Sequence, residues 1–249
     1  MWGSLPVYSG VILALVGLVL VLKPAAWLRV RTRRRALLVA GAGALLTLIG
    51  LLLPVSEHRI TRAETHIDRF APAWQFREVH SLRIAAPPTR VYEAIQRVRA
   101  DEIFLFRALT WVRRGGRALP PSILAAGNRE SLIDVATSGG FVRLADSVPH
   151  ELVIGTVVMA PAGARGTLTP QVFQQTLPPG FALATMNFLV TADGTDGSVV
   201  VTETRVFANS PATQRRFAAY WRVIYPGSAI IRRMWLRAIR HRATLVGGR

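Results

Sequence analysis

From Ser198 to Ala243 an alternating strand, SVVVTETRVFA, runs into a long helical segment, PATQRRFAAYWRVIYPGSAIIRRMWLRAIRHRA. A strand that feeds a long amphipathic helix at the end of a domain predicts a sheet wrapped around that helix. Between Pro211 and Arg249 there are nine arginines and no acid. The helix therefore has a cationic outer face, while Phe217, Trp221, Ile224, Ile231, Met234, Trp235 and Ala238 form its inner one. One face requires an apolar partner and the other favours an anionic one.

The charge is concentrated at the two ends of the chain. Residues 1 to 55 carry a net +6, residues 56 to 210 only +2, and residues 211 to 249 the remaining +9 of the total +17. Because 30 of the 31 bases are arginine, the ratio reads as coding bias, and position matters more than the sum. The nearly neutral middle argues against a module with a basic stripe across its fold, so no nucleic-acid partner is expected. The absence of cysteine excludes disulfides and thiolate metal sites.

A hydrophobic content of 51% is high for a wholly soluble chain and points to lipid. Val7 to Leu22 and Ala36 to Val55 are uncharged apolar runs, each close to the ~20 residues that cross a ~30 Å hydrocarbon core. They predict a transmembrane helical hairpin over residues 1 to 55, with spans at about 7–22 and 36–55. The loop between them, 23–35, holds six bases in thirteen residues. By the positive-inside rule that loop is cytoplasmic, which predicts a two-span protein of the inner membrane with its C-terminal domain outside the cytoplasm. Trp2, Tyr8 and Trp27 stand where interfacial aromatics sit. Gly10 with Ala14, and Ala36, Ala40 and Ala44, recur at the four-residue spacing that lets helices approach closely. The glycine run at Gly41 to Leu46 follows no strand and is no nucleotide loop.

After a charged connector, 56–69, the chain reads as strand to Ile84, a Pro87-Pro88 break and a helix carrying Val91, Ala94, Ile95 and Val98. A helix over Asn128 to Thr137 precedes two runs joined around Pro149-His150, which read as a hairpin. A short helix opens at Thr169-Pro170. Two longer strands, Phe181 to Thr191 and Ser198 to Ala208, flank the turn ADGTDG. The order is α+β: a curved antiparallel sheet closed by one helix, with apolar space between them.

These residues resemble the START-like superfamily, also called SRPBCC or helix-grip, which includes Bet v 1 allergens and polyketide cyclases. The resemblance spans residues about 70 to 243 and rests on the opening strand into APPTRVYEAI, on GFVRLADSVPHELVIGTVV, and on TETRVFA followed by RRFAAYWRVIYPGSAIIRRMWLRAI. It implies a helix-grip domain over 70–249 with a hydrophobic ligand cavity, here in a membrane-anchored bacterial member. It implies no particular reaction.

Candidate cavity residues follow from strand and helix periodicity. On Ser198 to Ala208, either Glu203 and Arg205 or Thr202 and Thr204 face the cavity. Thr185 and Asn187 share a face with Phe181, and Tyr220, Trp221, Met234 and Trp235 follow helical spacing. A charged inward pair would orient a ligand head group, or let Glu203 act as base with Tyr220 as acid and Arg205 on an enolate, as in a cyclase or dehydratase. The bland readings are a salt bridge on a solvated face and ordinary core packing, with Phe181, Met186, Trp221 and Trp235 filling the space. Arg232, Arg233, Arg237 and Arg240 form one side of the last helix, either solvated or set on anionic head groups. The five histidines show no metal-ligand spacing, and no GxSxG, P-loop or cysteine nucleophile is present. Neither cofactor nor metal is expected. The leading expectation is a domain that binds a hydrophobic small molecule or lipid without converting it, with the bilayer as its second partner.

Overall fold

The computed structural model describes residues 4–245 apart from 24–29, 31, 114, 116, 118–122, 124, 125, 128 and 165. Trp2, Trp27, Asn128 and most of the basic loop lie outside the described residues. Two compact units result: residues 56–214 with 227–249, and residues 1–55 with 215–226.

The smaller unit begins with two apolar helices, α1 (Ser4–Leu22) and α2 (Arg33–Leu52), both long and apolar enough to cross a membrane. α2 starts and stops about three residues before its expected bounds. Thr32 caps it by accepting the Arg35 N–H, which draws the three arginines 33–35 into its first turn. Pro54 disfavours helical backbone at Leu53, and the helix ends there. The helices pack antiparallel on small residues: a Cβ on Gly43 would fall 2.3 Å from the Ala14 nitrogen, and one on Gly17 2.4 Å from the Ala40 nitrogen. Buried Ala36, Gly43 and Gly50 recur every seventh residue along α2. The close approach therefore runs along a heptad seam of glycines as well as the expected Ala14 and Ala40.

The larger unit opens with a short ribbon, β1 (His58–Arg59) against β2 (Ala73–Trp74), enclosing a five-residue helix, α3 (His66–Phe70). The segment expected as a connector is thus part of the domain. β3 (Phe76–Ile84), α4 (Pro88–Arg97), α5 (Phe106–Arg113) and α6 (Leu132–Ser138) follow, then β4 (Val142–Ser147), β5 (Glu151–Met159), β6 (Ala182–Asp193) and β7 (Gly197–Ala208). The sheet order is β3-β7-β6-β5-β4, antiparallel throughout. Gly194, at φ +74, makes the left-handed turn between β6 and β7 that a side chain would strain.

The chain ends in α7, a 35-residue helix from Pro211 to Leu245. Its residues 227–245 belong to the sheet's unit, and Trp235, Leu236 and Ile239 join Met186, Phe188, Val200 and Ile154 in the main core with α4 and α6. This is the α+β helix-grip arrangement expected from the sequence. Residues 215–226 belong to the smaller unit. Pro226 marks the division and removes the N–H that would bond the Arg222 carbonyl.

Candidate functional site

The register of β7 decides which side chains meet the long helix. Directly opposite residues of an antiparallel pair share a face, and Val200 joins the core beneath α7. Thr202 and Thr204 therefore point to the helix, where the Arg232 guanidinium donates to Thr204 Oγ1 at 2.8 Å, to Thr202 Oγ1 at 3.4 Å, and to Met186 Sδ. From β3, Glu78 pairs across to Thr204 and His80 to Thr202, which brings both onto the same face. One Glu78 oxygen lies 2.8 Å from His80 Nε2 and the other accepts from Ser228 Oγ of α7 at 2.8 Å. The Glu78 side chain is only 1% exposed. A polar group of Glu78, His80, Thr202, Thr204, Ser228 and Arg232 thus sits between sheet and helix, next to Trp235 and Phe188, whose rings meet edge to face at 5.0 Å.

Glu203 and Arg205 take the opposite face, so the expectation that they line the sheet-to-helix cavity is corrected. Arg205 donates to Asp68 Oδ1 at 2.7 Å, to Glu203 Oε1 at 2.6 Å and to the Ala71 carbonyl at 3.0 Å, with Trp74 stacked 4.3 Å from its guanidinium carbon. Arg77 reaches Glu203 from β3 at 2.7 Å. Burial pushes the Glu203 carboxyl up, but Arg77 and Arg205 outweigh it and hold the group below its ordinary range. A carboxylate kept ionised and doubly paired is a poor general base.

Thr185 and Asn187 are corrected for the same reason: both are buried on that outer face. Asn187 Nδ2 donates to Glu151 Oε1 at 2.6 Å, and its Oδ1 accepts the Glu203 N–H at 3.0 Å. Glu151 in turn accepts the His66 and Ile67 N–H groups at 2.6 and 3.2 Å, placing an anion at the start of α3. The whole set holds the 65–74 segment onto the back of the sheet. Phe181 lies beside a separate cavity of about 320 Å³ with Leu183, Phe207 and Asn209.

Tyr220 and Trp221 are also corrected. They stand on the part of α7 that belongs to the smaller unit, in a run of aromatic contacts from Phe217 through Trp221 to Tyr225 with ring centroids 5.6 to 5.8 Å apart. Beside them Arg222 donates to the Leu51 carbonyl at 2.6 Å and to the Leu53 carbonyl, and Tyr8 donates to the Val223 carbonyl. Arg222 thereby satisfies orphan carbonyls at the end of α2, where a cation is favoured by the helix dipole.

Of the expected cavity residues, Met234 and Trp235 lie between sheet and helix. Of the four arginines, Arg233, Arg237 and Arg240 are exposed, whereas Arg232 turns inward to the threonines. Ser228, Arg232, Trp235 and Ile239 are spaced by four, three and four residues, the stripe that faces a partner. That spacing in the sequence carried the signal. So did the alternation of β3, in which Glu78 and His80 share parity with Phe76, Leu82 and Ile84.

At the C-terminal end of α7 a groove of about 1030 Å³ opens between the helix, Arg83, Ala85 and the Glu102–Phe104 turn. Met234, Ala238 and Leu245 give it an apolar wall, and Phe104 is 69% exposed. Arg237, Arg240 and His241 line it as well. Glu102 is bound by Arg242 at 2.6 and 3.0 Å; burial raises its carboxyl, and Arg242 with the Arg99 N–H brings it back below the ordinary value. Neither Arg237 nor Arg240 has a carboxylate partner among the described residues.

Among solved structures the chain is similar to the Mesorhizobium loti protein MLL2253, with 17% identity over 67% of this chain and 98% of that one and a TM-score of 0.31. CalU16 from Micromonospora echinospora shares 14% over 77% and 94%, with a TM-score of 0.28. Zhui aromatase/cyclase from Streptomyces shares 12% over 70% and 99%, also at 0.28. Likeness at this level assigns neither ligand nor reaction. No family model and no curated protein matches the chain.

Proposed function

We propose that this protein is a membrane-anchored helix-grip domain that binds a hydrophobic small molecule or lipid without converting it. The observation that supports the reading is the groove of about 1030 Å³, with Met234, Ala238 and Phe104 on its apolar side and, beside them, Arg237 and Arg240, which have no carboxylate partner among the described residues. An apolar wall with a few convergent polar groups is the usual composition of a ligand site. The two apolar helices serve as spans, their basic loop in the cytoplasm and the ligand domain outside it. Arg233, Arg237 and Arg240 contact anionic head groups, each near-surface base contributing roughly 1 kcal/mol. Tethering raises the local concentration of the domain at the bilayer, so weak contacts suffice.

The test is native mass spectrometry of the full-length protein released from detergent micelles, before and after organic extraction. A stoichiometric apolar adduct is expected, together with saturable binding of an apolar fluorescent dye that Met234→Asp and Phe104→Ser each weaken at least ~10-fold. A folded protein that carries no adduct and binds no dye overturns the reading.

A further inference from the structure

Arg232 turns toward the core, and among the described residues no carboxylate pairs with it. Its guanidinium meets two threonine hydroxyls and the Met186 thioether, a weak acceptor. The nearest acid across the sheet, Glu78, has both oxygens engaged, one by His80 and one by Ser228. Three residues further along α7, the Trp235 ring centroid lies 5.8 Å from the Arg232 guanidinium carbon. Trp235 is 2% exposed, and its indole N–H is buried with no hydrogen-bond partner among the described residues. A buried donor without an acceptor is destabilising, and a half-buried cation faced only by neutral acceptors gains from an anion. The Trp235 indole N–H without an acceptor, beside a guanidinium held only by neutral acceptors among the described residues, marks a place for an anionic acceptor.

We infer that Arg232, Trp235 and Thr204 form an interior seat for one singly charged oxo anion, a carboxylate or phosphodiester, at the end of an apolar ligand. The inference rests on the ligand-binding reading above and adds the charge of the ligand. A guanidinium offers a planar fork of donors that matches such a group in a bidentate manner. The indole N–H and the Thr204 hydroxyl supply further donors. One guanidinium balances one negative charge, which disfavours a doubly charged phosphomonoester. Met186 and Phe188, with Ile231 packed against them, make the adjoining core apolar. Burial lowers the Arg232 pKa to about 10, against the pull of Glu78 and together with the repulsion of Arg113. The group is therefore charged at neutral pH in a site where it would gain from an anion.

The experiment uses the full-length protein in neutral detergent micelles at about pH 8, where a carboxylate is ionised. Three single-chain probes are titrated: oleate, oleyl alcohol and oleoyl lysophosphatidylglycerol. At least one anion is expected to bind about 10-fold to 100-fold more tightly than the alcohol, the range of a hydrogen-bonded contact to a charged group. Whichever anion shows the preference identifies its source, free fatty acid or phosphodiester lipid. Arg232→Gln is expected to reduce the preference below about threefold, Arg232→Lys to keep part of it, and Trp235→Phe to weaken the anion a few fold while leaving the alcohol unchanged. The double variant Arg237→Gln/Arg240→Gln is expected to keep it. Should Arg232→Gln not fold, Thr204→Val makes the same comparison. A preference that survives Arg232→Gln, or vanishes in the Arg237/Arg240 variant, overturns the seat. Equal binding of all three probes overturns the seat and leaves the ligand-binding reading standing; no binding of any probe overturns both.

Discussion

Replacing Asp68 by Asn isolates the interaction that attaches the 65–74 segment to the back of the sheet. One Asp68 oxygen accepts from the Glu64 N–H, the Thr65 N–H and the Thr65 hydroxyl, each at 2.9 Å, and the other accepts from Arg205 at 2.7 Å. Burial pushes the carboxyl up, but the Glu64 and Thr65 N–H groups, Arg205 and the Thr65 hydroxyl outweigh it, and the pKa falls from 3.8 to about 2. At 1.36 kcal/mol per unit this shift corresponds to ~2.5 kcal/mol, and solvent screening reduces it to about 1–2 kcal/mol. The folded-state value is depressed, so the contribution is complete above pH ~4 and is lost as pH falls through 4 towards 2. Asp68→Asn removes that charge and leaves Arg205 with Glu203 and Trp74. A loss of about 2 kcal/mol is expected at pH 7, or ~4–8 °C in Tm for a domain of this size. The assay is urea unfolding of full-length wild type and variant in the same micelles at several pH values. The two curves are expected to converge near pH 2. An Asp68→Asn protein within ~0.5 kcal/mol of wild type at pH 7, or a difference that persists at pH 2, refutes the assignment of the Asp68 charge as the clamp.

The hairpin and its end contacts give two further outcomes. Gly43→Val sets a Cβ 2.3 Å from the Ala14 backbone; overpacking of this kind costs about 1–3 kcal/mol, so the hairpin should open at a lower SDS fraction, and an unchanged midpoint would contradict glycine-mediated packing. Arg222→Met strands the Leu51 and Leu53 carbonyls; at about 1.5–3 kcal/mol per lost charged contact, amide exchange across residues 215–226 should rise at least ~10-fold, and unaltered exchange would count against the cap.

Most of the fold was legible in the sequence because it depends on local period. Strand alternation marked β3 to β7, Pro87-Pro88 marked the break before α4, and the turn ADGTDG marked the tight link between β6 and β7. The segment 56–69 was read as a connector because nothing local shows that Asp68 will meet Arg205, 137 residues later. Pro226 gave no warning that α7 would divide its residues between two units.

The candidate site was less legible, since a two-residue period distinguishes the faces of a strand without saying which one the helix will cover. On β7 both alternatives were chemically reasonable, and the choice fell to the whole sheet: Val200, Met186 and Phe188 bury beneath Trp235 and Leu236, which turns Thr202 and Thr204 inward and sends Glu203 and Arg205 to the back. The composition and order of apolar residues by themselves determined an antiparallel sheet, a long closing helix and two helices of membrane-spanning length. Only the tertiary structure decided that Arg232 leaves the cationic face for the interior, because its place relative to Ser228 and Trp235 acquires meaning when a sheet of fixed register lies against that stripe.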